Sequence, residues 1–292
     1  MAKDRPQVAI LGVGTMGQGM AHSLLRAGFT PALWNRNPQR LIPFAGTGAR
    51  TFQSVTDAVQ DARIVITMVS DADAVLEVAD GQGMLEALRP GAIWVQMSTI
   101  GVAGFDRVAA LVAQQRPDVV LVDVPVTGSR EGAEDGTLTI FASGPDTARS
   151  ALRSVFDALG QRTLWLGPAG LGTRLKLVNN TMIAFLVQGL GEALGIAHQL
   201  NLATEAVMDA FGSAMFASPY IANKLSRIAH GHYDAEFSLA LALKDVKLAL
   251  DTVDPARHPV LCALARQWQQ ATEEGLGSQD LTAIARVLLE PS

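Results

Sequence analysis

A glycine-rich turn near the N-terminus constrains this sequence most. The apolar run Val8–Leu11 is followed by G-V-G-T-M-G and then by the helical pattern Gln18–Ala27. In such a turn Gly12 allows the tight bend, Gly14 lets the backbone approach a pyrophosphate, and Gly17 lets the helix pack on the strand. The order of strand, turn and helix predicts a dinucleotide site, with N–H groups of the helix start facing the anion. The cofactor contacts predicted here are Gly12, Gly14, Thr15, Met16 and Gly17.

Short apolar runs alternate with helical patterns through the first 165 or so residues, which is typical of βαβ units and a mostly parallel sheet. We therefore expect an α/β fold whose N-terminal Rossmann doubly wound domain covers residues 1–167. Two later runs, Leu138–Ser143 and Arg162–Leu166, flank a helix near Pro145–Leu159 and are predicted to extend the same sheet. The strands predicted before them are Gln7–Gly12, Ala32–Asn35, Ile64–Val69, Ile93–Met97 and Val119–Val124.

Beyond Gly167 and Pro168 only helical periodicity remains, so residues 168–292 are predicted to form an all-α domain joined to the first by a long helix. That helix contains the most apolar stretch, Leu175–Ala197. Polar residues such as Glu192 interrupt the stretch, so we interpret it as a long buried helix, enclosed by other elements or a partner subunit, and not as a membrane span. The later predicted helices are Thr204–Gly212, Ile221–Arg227, Leu239–Thr252, Val260–Glu274 and Gln279–Leu289.

Composition excludes several classes of protein. The net charge is -5, the pI is about 5.5, and no run of Lys or Arg occurs, so nucleic acid is not an expected partner. The single cysteine, Cys262, excludes an intrachain disulfide, and the N-terminal residues lack a signal-peptide pattern; a cytoplasmic protein is expected. The five histidines are scattered without metal-ligand spacing, so we predict no metal, and no G-x-S-x-G motif suggests a hydrolase.

The residues after the second predicted strand favour NADP(H) over NAD. An NAD site would present an Asp or Glu there to the ribose 2′-OH, but the chain has Asn35 and Arg36. Arg36 can form charge-assisted hydrogen bonds with a 2′-phosphate, and its planar group can stack on adenine. A solvated surface role would explain Arg36 but not the missing acid.

Three further segments have polar groups suited to a reaction site. Thr99 follows a strand end, where open α/β sheets bind ligands, although Ser98 or Thr99 capping a helix is an alternative. Backbone N–H groups and hydroxyls at 127–129, T-G-S, could cradle a carboxylate. Lys176 and Asn180 lie four apart on one helical face, where an ammonium and an amide could meet one substrate oxygen; alone, Lys176 would be interpreted as a surface residue.

With these motifs in this order, the whole chain resembles the β-hydroxyacid dehydrogenase family, which includes 3-hydroxyisobutyrate dehydrogenase and the glyoxylate/succinic semialdehyde reductases. The resemblance implies that Lys176 is the catalytic acid/base and that Asn180 assists it. It also implies substrate contacts at the strand-end residues Thr99, Thr127, Gly128 and Ser129 and at Phe237 and Asp245, and a cofactor contact at Lys244. From their strand-end positions, the further cofactor contacts predicted are Asn35, Arg36, Met68, Val69, Ser70 and Thr99. Core packing explains Met68 and Val69 equally well.

One departure from the family pattern suggests which branch of the family the chain is most similar to. The family commonly has Ser-Gly-Gly where this chain has Thr127-Gly128-Ser129 before Arg130, which is more similar to the glyoxylate/succinic semialdehyde reductases, although Arg130 could equally face solvent. The function predicted is therefore NADPH-dependent reduction of a small carboxylated aldehyde to a hydroxy acid, in a homodimer or homotetramer. The alternatives are 3-hydroxyisobutyrate dehydrogenase, an imine reductase, in which Asp or Tyr typically stands at the Lys176 position, and a non-enzymatic dinucleotide-binding module.

Overall fold

The computed structural model describes residues 5–212 and 218–289. Its largest sheet has six parallel strands in the order β3-β2-β1-β4-β5-β6. This order, in which the chain reverses direction across the sheet beside β1, is that of dinucleotide-binding doubly wound folds and confirms the predicted fold class. The strands are β1 Val8–Leu11, β2 Ala32–Trp34, β3 Arg50–Phe52, β4 Ile64–Thr67, β5 Ile93–Gln96 and β6 Val120–Asp123.

The sheet is buried on both faces. Along β1, Val8 and Ile10 point into one apolar cluster, whereas Ala9 and Leu11 point into a second cluster on the opposite face. Burial on both sides explains why these strands are continuous apolar runs. The edge strand β3, which the sequence did not predict, is short, largely exposed and has no apolar run. The helices of this part are α1 Thr15–Arg26, α2 Val55–Val59, α3 Ala72–Leu76, α4 Met84–Ala87, α5 Gly101–Gln115, α6 Arg130–Asp135 and α7 Arg149–Leu159.

The later strands form a separate sheet, so the prediction that they extend the first sheet is wrong. Strand β7 (Val126–Thr127) pairs antiparallel with β8 (Leu138–Ala142), and β8 pairs parallel with β9 (Gly160–Trp165). Between β6 and β7 the chain passes through Pro125, which has no N–H to donate to a ladder. In the described residues, an isolated bridge between Asp123 and Ser143 links the ends of β6 and β8.

The remaining part of the chain is helical, as predicted. Its helices are α8 Leu171–Gln199, α9 Thr204–Gly212, α10 Pro219–Ala229, α11 Leu239–Leu250, α12 Pro259–Ala271 and α13 Ile284–Leu289. Trp268, which is fully buried, lies in an apolar cluster built from α8, α11 and α12. By contacts the chain divides into two compact units, Met1–Lys176 and Leu177–Ser292, so the division falls inside α8.

Helix α8 is only partly buried. It is long and apolar enough to cross a membrane by length and composition, and 44% of its most apolar window is buried. Ala184, Val187 and Leu190 pack into the core, whereas Val178 and Met182 are 66% and 57% exposed. Within the single chain, α8 therefore has core neighbours along only part of its circumference, and enclosure of its other face by a partner subunit stays a prediction.

Candidate active site

The glycine turn lies between β1 and α1, at the carboxyl edge of the large sheet. Gly12 has a φ of +102°, and a Cβ there would lie 2.2 Å from the Met68 carbonyl oxygen. A Cβ on Gly17 would lie 2.0 Å from the Gly12 carbonyl oxygen. A Cβ on Gly14 would meet nothing within 4 Å, so packing does not require this glycine. The geometry thus fits a surface left open for a pyrophosphate, with Thr15 and Met16 in the first turn of α1.

The start of α1 has the donors that such an anion needs. The residue that precedes the helix is Gly14, which has no side chain to cap the N–H groups of the first turn. The N–H groups of a first turn have no partner within their own helix. Because the helix dipole also favours negative charge there, this end of α1 is suited to hold the pyrophosphate of a dinucleotide.

Asn35 joins the end of β2 to the glycine turn. Its Oδ1 accepts a hydrogen bond from the Val13 N–H at 2.8 Å, and its Nδ2 donates to the Asn37 carbonyl oxygen at 2.9 Å. Asn35 therefore shapes the turn in addition to replacing the acid of an NAD site. Arg36, the next residue, is exposed at the same edge.

A buried polar network holds the ends of β4 and β5. The Ser98 hydroxyl accepts the Val69 N–H at 2.9 Å, and the Gln96 side chain accepts the Ser98 N–H at 2.7 Å. Helix α5 begins at Gly101, and Ile100, the residue before it, provides no side-chain cap. Thr99 is half-buried, Met68 and Val69 are half-buried against the core clusters, and Ser70 is exposed.

The segment 127–129 links β7 to α6. Gly128 has a φ of +146°, and a Cβ there would lie 2.6 Å from Leu138 Cδ2. The Ser129 hydroxyl accepts the Gly132 N–H at 3.0 Å and so caps α6. Thr127 is half-buried, whereas Arg130 is exposed, which agrees with the solvent-facing interpretation. Capping uses the Ser129 oxygen only as an acceptor, so its O–H and the backbone N–H groups of this turn are both candidates to bind a carboxylate.

Helix α8 carries Lys176 and Asn180 one turn apart. Asn180 is 4% exposed, and its Nδ2 donates to Asp245 Oδ2 at 2.6 Å. The Asn180 Oδ1 accepts from Asn179 at 3.0 Å, and Lys244 Nζ lies 3.1 Å from Asp245 Oδ1. Three residues predicted from scattered positions thus meet in the helical unit: Asn180, Lys244 and Asp245. One N–H of the Asn180 amide is committed to Asp245, which orients its second N–H.

The backbone of Phe237 contacts a buried ionic cluster that the sequence did not predict. Its N–H donates to Asp280 Oδ2 at 3.2 Å, as does the N–H of Glu236. Asp280 is fully buried, and Lys224 Nζ lies 3.3 Å from its Oδ1 and 3.0 Å from Glu236 Oε2. Burial, with the two nearby carboxylates, raises the pKa of the Tyr220 hydroxyl. The available signal was a charge at 224 on the otherwise apolar face of α10 formed by Ile221, Leu225 and Ile228.

Asp123, predicted from the sequence only as part of the strand Val119–Val124, is fully buried at the end of β6. It accepts hydrogen bonds from the N–H and the hydroxyl of Thr173, both at 2.7 Å, and from the Ser143 hydroxyl at 3.2 Å. Burial raises the pKa of the Asp123 carboxyl, and these hydrogen bonds oppose the rise. In the part of the chain that the structure describes, no group of three or more His, Cys, Asp or Glu could hold a metal ion.

Comparison with known proteins agrees with this geometry. Residues 7–167 match the NAD binding domain of 6-phosphogluconate dehydrogenase, and residues 170–288 match a domain described as NAD-binding of NADP-dependent 3-hydroxyisobutyrate dehydrogenase. The chain belongs to the β-hydroxyacid dehydrogenase family. Its members are NAD(P)-dependent hydroxyacid dehydrogenases, so the chain is an oxidoreductase that uses a nicotinamide dinucleotide.

Individual members of the family cover the chain almost completely. Glyoxylate/succinic semialdehyde reductase 1 of Arabidopsis thaliana is 29% identical over 95% of this chain and 96% of its own length. The crystal structure of 3-hydroxyisobutyrate dehydrogenase from Salmonella typhimurium has a TM-score of 0.87 at 25% identity and covers 96% of this chain and 99% of its own. Human cytokine-like nuclear factor N-PAC is 27% identical over 97% of this chain, which spans 51% of that relative.

Proposed function

We propose that this oxidoreductase reduces a small carboxylated aldehyde, of the glyoxylate or succinic semialdehyde type, to a hydroxy acid with NADPH. The observation that carries the proposal is the placement of Lys176 one turn before Asn180, whose amide is oriented by the buried Asp245. The name of the Arabidopsis relative supports the same substrate class. The named substrates share a carbonyl to reduce and a carboxylate to bind.

The residues of the chain divide this reaction among themselves. A bound nicotinamide supplies the hydride. Lys176 stabilises the alkoxide that forms on the substrate oxygen and donates the proton that completes the alcohol. Asn180 donates its second N–H to the same oxygen, while the turn at Thr127 and Gly128 binds the substrate carboxylate with backbone N–H groups. We assign Thr99, Ser129 and Phe237 to the surroundings of the substrate, and Met68, Val69, Ser70 and Lys244 to those of the cofactor.

The preference for NADPH rests on the end of β2. Asn35 is neutral and is engaged with the glycine turn, so it brings no carboxylate toward the 2′ position. Exposed Arg36 provides the positive charge and planar donors that a 2′-phosphate needs. We expect Arg36→Asp to weaken NADPH binding by about tenfold or more, because a charge-assisted hydrogen bond contributes about 1.5–3 kcal/mol, while NADH binding changes little. Fluorescence titration with both cofactors measures this; equal losses would exclude Arg36 from 2′-phosphate recognition.

The central test is turnover of glyoxylate, succinic semialdehyde, methylmalonate semialdehyde and a cyclic imine with NADPH and, separately, NADH. We expect an aldehyde acid to be reduced with NADPH preferred. Lys176→Ala should lower kcat about a hundredfold and leave NADPH binding nearly intact, because it removes the proton donor and not the cofactor site. The matched control is Lys247→Ala on the exposed part of α11, whose lysine contacts Gln269 and should be dispensable.

Two other outcomes would replace the proposal. Oxidation of 3-hydroxyisobutyrate with NAD, in preference to any aldehyde reduction with NADPH, would favour the activity named for the Salmonella relative. Reduction of the cyclic imine alone, or full turnover by Lys176→Ala, would contradict the role of Lys176.

We also propose that the protein forms a homo-oligomer through α8. The exposed apolar side chains of Val178, Met182 and Ile196 support this, since large exposed apolar patches often mark interfaces. Sedimentation equilibrium should show a dimer or tetramer, and Met182→Glu should shift it toward monomer; a monomeric wild type would refute the proposal.

A further inference from the structure

The first turn of α8 is capped by side chains from other elements. The Gly172 N–H donates to the Ser143 hydroxyl at 2.9 Å, and the Thr173 N–H donates to Asp123 Oδ2 at 2.7 Å. A helix is usually capped by the residue that immediately precedes it. Here the caps come from 29 and 50 positions away in the chain, so the helix start is attached to tertiary structure.

Both caps come from the carboxyl edge where the ligands of such folds bind. Asp123 ends β6 and Ser143 follows β8, and their backbones exchange hydrogen bonds of 2.9 and 2.8 Å. A Cβ on Gly172 would lie 2.4 Å from the Phe141 carbonyl oxygen and 3.0 Å from that of Asp123. The first turn of α8 therefore lies directly against the strand ends, with no room for a side chain between them at Gly172.

The Asp123 carboxylate is the centre of this attachment. It accepts from three donors, the N–H and hydroxyl of Thr173 and the hydroxyl of Ser143, which is the pattern of an ionised carboxylate. Its negative charge at the start of a helix of 29 residues is also favoured by the helix dipole. Lys176 follows Thr173 by three residues, so the attachment point and the lysine lie on adjacent turns of one helical face.

We propose that Asp123 is a positioning residue for Lys176. Through the double hydrogen bond to Thr173, it sets the height and rotation of the first turns of α8, and thereby the place of the lysine ammonium relative to the strand ends. The proposal rests on the proposed function of Lys176. It gives Asp123 no contact with substrate, and so predicts a loss in the chemical step without a loss in cofactor binding.

Two variants remove the attachment to different extents. Asp123→Asn places an amide N–H₂ opposite a group that now donates to the carboxylate, so at least one hydrogen bond is lost. Thr173→Val removes only the hydrogen bond from the threonine hydroxyl to Asp123 Oδ1. We expect Asp123→Asn to lower kcat by about tenfold to a hundredfold, because misplacing a reacting group by about 1 Å has effects of this size, with NADPH affinity unchanged. Thr173→Val should lower kcat less, and Thr173→Ser, which keeps the hydroxyl, should restore it.

A packing control separates this effect from general destabilisation. Val112, in α5, is 5% exposed and lies in the second apolar cluster of the same unit. Val112→Ala should lower the urea midpoint at least as much as Thr173→Val and leave kcat unchanged. If Val112→Ala lowers kcat equally, or if Thr173→Ser fails to restore it, Asp123 has no specific positioning role.

A double-mutant cycle decides whether Asp123 acts through the lysine. With Lys176→Ala already in place, Asp123→Asn should cause no further loss of kcat, since the group that it positions is gone. A further loss of the full size would overturn the proposal. Failure of the proposed function is distinguishable from this, because Lys176→Ala alone would then keep wild-type turnover. Normal kcat in Asp123→Asn and Thr173→Val beside an impaired Lys176→Ala would refute only the positioning role.

Discussion

Each of the two units contains a buried carboxylate that holds candidate site residues, but the two are stabilised differently. In the unit Met1–Lys176, Asp123 accepts hydrogen bonds from neutral Thr173 and Ser143. In the unit Leu177–Ser292, Asp280 accepts from backbone N–H groups and also lies 3.3 Å from the Lys224 ammonium. Asp123 therefore fixes the orientation of its partners through neutral hydrogen-bond donors. Asp280 also orients its partners, but it is paired with a buried cation, so removing one charge of the pair leaves the other buried and uncompensated.

The largest expected effect on stability comes from removing the Lys224 ammonium from beside Asp280. Lys224→Met should destabilise the protein by about 3 kcal/mol, because among the described residues Asp280 would keep only Arg227, at 3.9 Å, as a nearby cation while remaining buried. Urea unfolding measures the change. The control is Asp73→Asn, which breaks the exposed pair with Arg107 and should cost less than about 1 kcal/mol. Equal losses for the two variants would show that burial does not distinguish these ion pairs.

A smaller effect separates packing from binding in the glycine turn of the first unit. Gly17→Ala should destabilise the fold, since its Cβ would lie 2.0 Å from a carbonyl oxygen. Gly14→Ala should fold normally but bind NADPH about tenfold more weakly, a difference of about 1.4 kcal/mol, because its Cβ would occupy the open space that we assign to the pyrophosphate. Thermal unfolding and cofactor titration on both variants test this. Unchanged NADPH affinity in Gly14→Ala would remove the pyrophosphate from that position.

The smallest expected effect concerns the titration of Asp123. Burial raises its pKa in the folded protein above the usual 3.8, so at pH values between the unfolded and the folded pKa the folded state retains a proton that the unfolded state has released, whereas above the folded pKa the carboxyl is ionised in both. The stability that this proton contributes is fully present below the unfolded pKa and is lost as the pH rises through the folded pKa. Asp123→Asn does not titrate, so its urea midpoint should rise relative to the wild type from about pH 4 toward neutrality. A constant difference between the two proteins would mean that this carboxyl is unperturbed.

The fold around the candidate site of the first unit was largely predictable, because backbone features dominate it. Continuous apolar strands, glycines and strand-end hydroxyls appear in the sequence where they act in the fold, so the turn at Gly12 and the strand end before Thr99 were found. Strand β3 was missed because an exposed edge needs no apolar run, and the second sheet was misassigned because pairing partners are not encoded locally.

The second unit was predictable as helices but not as a site. Resemblance supplied Lys244 and Asp245, yet the contact of Asp245 with Asn180 joins residues 65 positions apart. The predicted helix Gln279–Leu289 included Asp280. In the structure Asp280 precedes the helical turns and accepts the N–H of Phe237, just before α11. Long-range side-chain pairs of this kind leave only a weak trace, such as the charge of Lys224 on an apolar face.

The bond between Asn35 and the Val13 N–H has a consequence for how cofactor choice can change. Asn35, to which we assign part of the proposed preference for NADPH, also holds the glycine turn through the Val13 N–H, so a substitution at position 35 would affect both. An acid introduced at position 35 would keep an acceptor for Val13 but lose the donor to Asn37, and the neighbouring turn would have to be rebuilt in the same step. Under the proposed preference for NADPH, we therefore expect a change of cofactor at this position to require further substitutions at 36–38 and not a single replacement.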